Sequence, residues 1–357
     1  MALAGEHFSM CTIQLPNVAP ATHPADAEGV PNSKSEIAAV DVIIPVRNRP
    51  HLIRLCLDSV KAQSLQPNTV IVVDDGSTDD TPGVLAEYAR RWNKLRVISS
   101  EHRGPARARN TGLAASQAPL VAFLDSDDLW HPAKLERQVA LFTGHSEVGM
   151  VHCACYRIDE TGEKRDATIF VPSKRGQIFE TMINTLYHLS GSASAVVARR
   201  DLVMQVGGFD EGLFGVEDQD LWLRLARIAL VDYVPEPLVG LRVHRESRSA
   251  ARRGNPALAI LHQTAVWEKW AHLTDEALLL QAFRRKAFAV NRASPFRLIH
   301  HFRVYRQLKT SQIALAMRLF PSFGSYLRCM IRSKLHRRTK SAFAPKTLYR
   351  RVKRRLG

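Results

Sequence analysis

The amino-acid sequence predicts an α/β fold with a mainly parallel sheet, followed by a basic α-helical C-terminal extension. Three observations carry this. From about residue 40, short apolar runs alternate with helical-period segments of about ten to fifteen residues, the pattern of βαβ units. The runs at residues 70–73 and 121–124 are unbroken, as in strands covered on both faces. No acidic residue follows Glu276, while Lys and Arg recur to the end among aromatic and aliphatic residues.

The elements follow in order. Residues 1–38 are rich in Ala, Pro, Asn, Ser and Gly without periodicity and read as a disordered leader. A first strand spans residues 40–45, with Pro45 ending it. Leu52, Leu55, Cys56, Ser59 and Val60 recur at helical spacing within residues 51–64. The second strand, 70–73, meets Asp74-Asp75-Gly76-Ser77, and Thr81-Pro82 opens a helix to about Trp92. A third strand at 95–98, a helix at 105–116 and a fourth strand at 120–124 complete the series. Residues 148–198 read as mixed strand and loop, and residues 219–226 as a helix with Leu221, Trp222 and Leu225 on one face. The pattern turns helical again from about residue 255. The domains are thus 1–38, 39–248 and 249–357.

The fourth strand ends in Asp125-Ser126-Asp127-Asp128. Ligands of open α/β sheets bind outside the carboxyl ends of the strands. Residues two apart on an extended chain share a face, so Asp125 and Asp127 can address one object. Carboxylate oxygens suit hard divalent ions such as Mg²⁺ or Mn²⁺. The alternative is that these residues cap a helix starting near Pro132.

The 357 residues carry a formal net charge of +16, and the stretch after Glu276 holds more than all of it. Such asymmetry points to an anionic partner for the tail and a separate task for the body. Of Cys11, Cys56, Cys153, Cys155 and Cys329, Cys153 and Cys155 form C-x-C with no second pair, a weak metal signal, and the five read as reduced thiols. No run reaches the roughly 18 apolar residues of a membrane span. The N-terminus lacks the basic and apolar regions of a signal peptide. The expectation is a cytoplasmic protein, peripheral on the cytoplasmic face of the membrane.

Val-Ile-Ile-Pro-Val-Arg-Asn-Arg, Val-Val-Asp-Asp-Gly-Ser-Thr-Asp, Gly-Pro-Ala-Arg-Ala-Arg-Asn-Thr-Gly, Phe-Leu-Asp-Ser-Asp-Asp, and Gly-Gly-Phe-Asp-Glu with Gly-Val-Glu-Asp-Gln-Asp-Leu-Trp-Leu-Arg occur in that order between residues 40 and 245. In order and spacing they resemble the family 2 glycosyltransferases of the GT-A fold, whose nucleotide-sugar-binding domain is Rossmann-like. The resemblance implies transfer of a sugar from a nucleotide-diphospho-sugar, UDP-linked by preference, to a carbohydrate or lipid-linked acceptor, with inversion. It implies that Asp74 or Asp75 reads the base, and that Pro45 and Arg47 line the same pocket. It also implies that Asp218 is the general base, with Glu217 and Asp220 as competitors, and that His244 completes metal coordination or touches the phosphates. Asp127 is the leading metal ligand, with Asp125 and Ser126 beside it at the metal's waters or the donor's ribose. Arg103, Arg107 and Arg109 flank a helix start where phosphate can bind, and Arg109 lies in the matching Ala-Arg-Asn-Thr-Gly portion.

Past about residue 255 the resemblance stops. Segments 296–306 and 313–334 read as basic amphipathic helices that lie on anionic bilayers. A nucleic-acid-binding protein using this tail is the competing class, but it leaves the five motifs without a role, so no nucleic-acid partner is expected. A nucleotidyltransferase or an NAD-dependent oxidoreductase would need a glycine-rich loop after the first strand. Pro45-Val46-Arg47-Asn48 has no glycine.

Overall fold

A computed structural model of the chain describes residues 39–185, 189, 192–213, 215–243, 266, 269 and 270. The predicted leader, His244 and nearly all of the basic extension lie outside the described residues. The first half of the domain is β1 (Val40–Val46), α1 (Pro50–Lys61), β2 (Val70–Asp75), α2 (Thr81–Arg91), β3 (Leu95–Ser100), α3 (Pro105–Ala115) and β4 (Leu120–Phe123). Each of the three helices has a proline in its first turn, where its fixed φ suits the helix and its missing N–H is not needed. The four strands lie side by side in the order β3-β2-β1-β4, all parallel.

Every residue of β1, β2 and β4 is buried, because alternate side chains enter two different cores. Val42, Ile44, Val70, Val72 and Ala122 pack with residues of α1 and α2. Ile43, Val121 and Phe123 point the other way, toward Leu113 of α3 and the helices that follow. At the start of β1, Asp41 is buried. Burial alone would raise its carboxyl, but hydrogen bonds from the Ala118 and Gln117 N–H groups, Asn68 and Ser116 hold it below its ordinary value.

Pro45 does not end β1, which runs on to Val46 opposite Asp74. The ladder with β4 stops at Ile43 and Phe123, and the Ile43 carbonyl accepts from the Leu124 N–H on that side. Pro45, two residues on, faces the same side beyond the end of β4, so its missing N–H costs no ladder bond.

Past β4 the sheet becomes mixed. β5 (Leu129–Trp130), α4 (Lys134–Ala140), β6 (Val148–Ile158), β7 (Lys164–Phe170), α5 (Phe179–Thr185), a 3-10 turn at Ala193–Ala195, β8 (Val197–Arg199), α6 (Arg200–Gln205), α7 (Glu217–Ile228) and β9 (Leu230–Arg242) follow. β8 is antiparallel to both β4 and β6, β9 runs parallel to β6, β5 pairs antiparallel with β9, and β7 adds to β6. The pairing of Leu129 with Gly240 brings the end of β9 beside the acidic loop. Beneath the site, Phe123 meets Phe209 edge-on at 5.0 Å and Trp222 at 5.9 Å, tying β4 to the Gly-Gly-Phe motif and to α7. Val266 and Trp270 belong to the same buried cluster.

Candidate active site

The carboxyl ends of β1, β2 and β4 open onto a cleft of about 270 Å³ lined by Pro45, Arg47, Asp75, Arg109, Asp125, Ser126, Asp127 and Asp218. Most of the residues singled out from sequence therefore share one space. Asp74 does not line it. Its carboxylate accepts from the Ser77 N–H at 3.0 Å and holds the turn after β2. Asp75 faces the cleft, accepting the Arg103 N–H at 2.8 Å, the Gly104 N–H at 3.0 Å and His102 Nδ1 at 2.8 Å. Gly76 makes this approach possible: its φ is +72°, and a Cβ there would stand 2.8 Å from the His102 nitrogen.

The four acidic-loop residues have different surroundings. Asp125 pairs with Arg109, and its N–H donates to Ser194 Oγ at 3.0 Å. Asp127 pairs with Arg49 at 2.7 Å. Ser126 is buried on the cleft wall. Asp128 is buried and accepts from Ser194 Oγ at 2.6 Å and the Arg242 N–H at 3.0 Å. Burial, then the charges of Asp127 and Asp125, push the Asp128 carboxyl well above the usual range, against those hydrogen bonds. None of these acids caps α4, whose N-cap is Ala133 with no side-chain cap bond. The capping alternative is thereby removed.

Carboxylate oxygens of Asp125, Asp127 and Asp128 lie within 4.8 Å of one another. An all-oxygen anionic set of this kind fits a hard divalent cation. With Asp128 turned to Ser194 and to the Arg242 backbone, Asp125 and Asp127 are the residues that would hold one.

Arg109 is 1% exposed, and its fork joins Asp125 to Glu217, the latter at 3.1 Å, over the Phe209 ring. Burial opposes its charge, but Asp125 and Glu217 outweigh that and hold the guanidinium above its ordinary pKa. Arg109, expected from its motif at the phosphates, here bridges the carboxylates of Asp125 and Glu217. Asn110, its neighbour, brackets Phe209 by donating to its carbonyl and accepting its N–H, each at 2.8 Å.

The three acids in the first turn of α7 also separate. Glu217 is buried against Arg109, and Asp220 is fully buried against Arg224. Asp218 is half-buried and lines the cleft. Arg49, His102, Ser192 and Arg242 also line it, and sequence reasoning assigned none of them a definite role. Arg242 donates from Nε to the Asp127 carbonyl at 2.8 Å and from Nη1 to the Asp159 and Glu160 carbonyls at 2.7 Å. It anchors the acidic loop to the β6–β7 hairpin. Its place two residues before His244, at the close of the matching region, was the available signal. Ser192 donates to Asp125 Oδ2 at 3.1 Å; Gly191 before it lies outside the described residues.

The fold and the acid-lined cleft define an α/β protein of the GT-A type. Residues 41–206 match the family model "Glycosyl transferase family 2". The chain is 32% identical over 220 residues to a Bacillus subtilis protein described as glycosyltransferase EpsH, covering 59% of this chain and 63% of the relative, just under two thirds of its length. It is 28% identical over 214 residues to the amylovoran biosynthesis glycosyltransferase AmsE of Erwinia amylovora, covering 58% of this chain and 77% of the relative. Among solved structures, S. aureus TarS 1-349 in complex with UDP-GlcNAc superposes with a TM-score of 0.55 at 20% identity, over 80% of each chain. The mannosyltransferase PcManGT from Pyrobaculum calidifontis in complex with GDP-Man and Mn²⁺ superposes with a TM-score of 0.52 at 20% identity, over 86% of this chain and 87% of that one. At such identity both establish the fold.

Proposed function

We propose that this protein is a metal-assisted, inverting glycosyltransferase that moves a sugar from a nucleotide-diphospho-sugar, by preference a UDP-sugar, to an acceptor hydroxyl in cell-surface polysaccharide, lipopolysaccharide or glycolipid synthesis. The observation that carries the reading is that Asp218, the half-open acid of the first turn of α7, shares one cleft with Asp75 and with the Asp125–Asp127 pair. Asp75, Pro45 and Arg47 receive the nucleotide, and Ser126 lines the donor's path. Asp125 and Asp127, with His244, hold Mn²⁺ or Mg²⁺. A cation bound there supplies Lewis-acid stabilisation of negative charge on the leaving nucleoside diphosphate.

Asp218 removes the proton from the acceptor hydroxyl as its oxygen attacks the anomeric carbon from the face opposite the leaving group. Direct displacement of this kind inverts the configuration. A positioned carboxylate base is worth about 10²- to 10⁴-fold in rate. Arg109 acts by keeping Asp125 and Glu217 fixed across the cleft. The basic C-terminal region places the enzyme on the cytoplasmic face of an anionic membrane, where a lipid-linked acceptor is within reach.

The test is a donor screen: the full chain with Mn²⁺ or Mg²⁺ and a panel of UDP-, GDP- and dTDP-sugars, reading release of nucleoside diphosphate and binding by calorimetry. Metal-dependent release from one donor is expected, abolished by chelator and by Asp127→Ala. Asp218→Ala should cut turnover at least about a hundredfold while donor binding persists. If no nucleotide-sugar binds in the presence of metal, the reading is wrong.

A further inference from the structure

Asp220, two residues beyond Asp218 on α7, is 0% exposed, and a buried carboxylate needs partners. Among the described residues three side chains reach it, and two of them come from beyond the predicted end of the catalytic domain. Arg224, one turn on, donates from Nε at 2.9 Å, and its Nη2 stands in ion-pair contact at 2.8 Å. Lys269 Nζ donates at 3.2 Å to the same oxygen, Oδ2, and also meets Asp210 at 3.0 Å. Trp270 Nε1 donates to Oδ1 at 3.3 Å.

The Trp270 ring is 6% exposed, packs against Phe179 of α5 at 5.5 Å and lies under Arg227 of α7 at 6.0 Å. Val266, four residues earlier, is fully buried in the cluster that contains Phe123 and Trp222. The first turn of α7 is therefore held from two sides. On the cleft side, Glu217 is bound to Arg109; on the far side, Asp220 is bound to Lys269 and Trp270.

We infer that Trp270, with Lys269, is a positioning residue: by holding Asp220 it sets the first turn of α7 and hence the place of Asp218. The inference rests on the role proposed for Asp218. A helix turn carrying a base must be fixed to within a fraction of an ångström, and misplacement by about 1 Å can cost about a hundredfold. The segment that follows the family-matching residues thus contributes to the geometry of the reaction as well as to any docking of the enzyme.

The experiment compares the full-length wild type with Trp270→Phe, which keeps an aromatic ring but removes the N–H, and with Lys269→Met. Two measurements are made on each. Hydrogen exchange of the α7 peptide 217–228 should speed up about tenfold in Trp270→Phe, the size expected for one hydrogen bond to a charged group. Peptides of β1 and β4 should be unchanged. Donor hydrolysis should show kcat lowered about tenfold, with donor KM and the calorimetric stoichiometry of donor binding at their wild-type values.

A merely structural role would lower kcat and stoichiometry together, and that outcome overturns the inference. So does unchanged exchange in both variants. Asp218→Asn is run alongside. If it hydrolyses donor like the wild type, or if the wild type handles no nucleotide-sugar, the functional reading fails by itself, and the exchange data still decide whether Trp270 holds α7. If Asp218→Asn is inactive and Trp270→Phe has wild-type kcat and exchange, the positioning role alone fails.

Discussion

Asp125, Asp127 and Asp128 are near neighbours in sequence, yet each answers to a different cation or hydroxyl: Arg109, Arg49 and Ser194. Identical residues in one loop thus stand in different surroundings, because folding brings different partners to each carboxylate. His152 shows the opposite case. It is fully buried, and neither ring nitrogen has a hydrogen-bond partner among the described residues. Burial pulls its pKa from 6.5 down to about 3. In the unfolded chain it takes a proton near 6.5, so the unfolded state binds more protons between those values. Stability contributed by this group is complete above pH 6.5 and is lost as pH falls toward 3. His152→Leu should therefore flatten the acid limb of stability against pH, read as urea midpoints at pH 7.5, 6 and 5. Parallel curves for the two proteins would count against this account.

At the scale of elements, the contact of α3 with β1 governs how the cleft is shaped, since α3 carries Arg109. Gly112 sits where α3 crosses β1, and a Cβ there would lie 2.5 Å from Cγ2 of Ile43. Gly112→Ala should destabilise by about 1–3 kcal/mol through overpacking, less up to about 1 kcal/mol gained in helix propensity. An Ile43→Ala background should remove most of the penalty, which a double-mutant cycle of urea midpoints would read directly. Equal penalties in the two backgrounds would mean that another contact is responsible. The helix α7 is set by the same kind of constraint, through Trp222 against Phe123 and through Asp220. Hydrophobic spacing made α7 visible, while only the resemblance, and not that spacing, singled out Asp218 among its acids.

At the scale of the whole molecule, charge divides the chain. The residues after Glu276 contain no carboxylate, while the cleft gathers several. Among the described residues no helix is long and apolar enough to cross a membrane. Membrane attraction of a polybasic segment is worth about 1 kcal/mol per basic residue near the surface and is screened by salt. Deleting residues 277–357 should abolish cosedimentation with anionic liposomes, and raising the salt should weaken that of the full chain. Undiminished cosedimentation of the truncated protein would remove the docking proposal.

The order of the motifs by itself determined the parallel half of the sheet and the edge on which the cleft opens, because apolar runs that end in acids are local signals of strands ending at a loop edge. Asp75, Asp125, Ser126 and Asp127 were legible as strand-end residues on that basis, and Pro45, Arg47, Arg109 and Asp218 through the resemblance; all eight line the cleft. The mixed half of the sheet was not, because β6 and β9 pair across more than seventy residues and no local pattern encodes that partnership. Only the tertiary structure decided that Asp75 rather than Asp74 faces the cleft, that Arg109 bridges Asp125 and Glu217, and that Arg242 braces the acidic loop. The physical reason is common to all three. The state and orientation of a charged side chain are set by the opposite charges and hydrogen-bond donors that folding brings to it from distant parts of the chain.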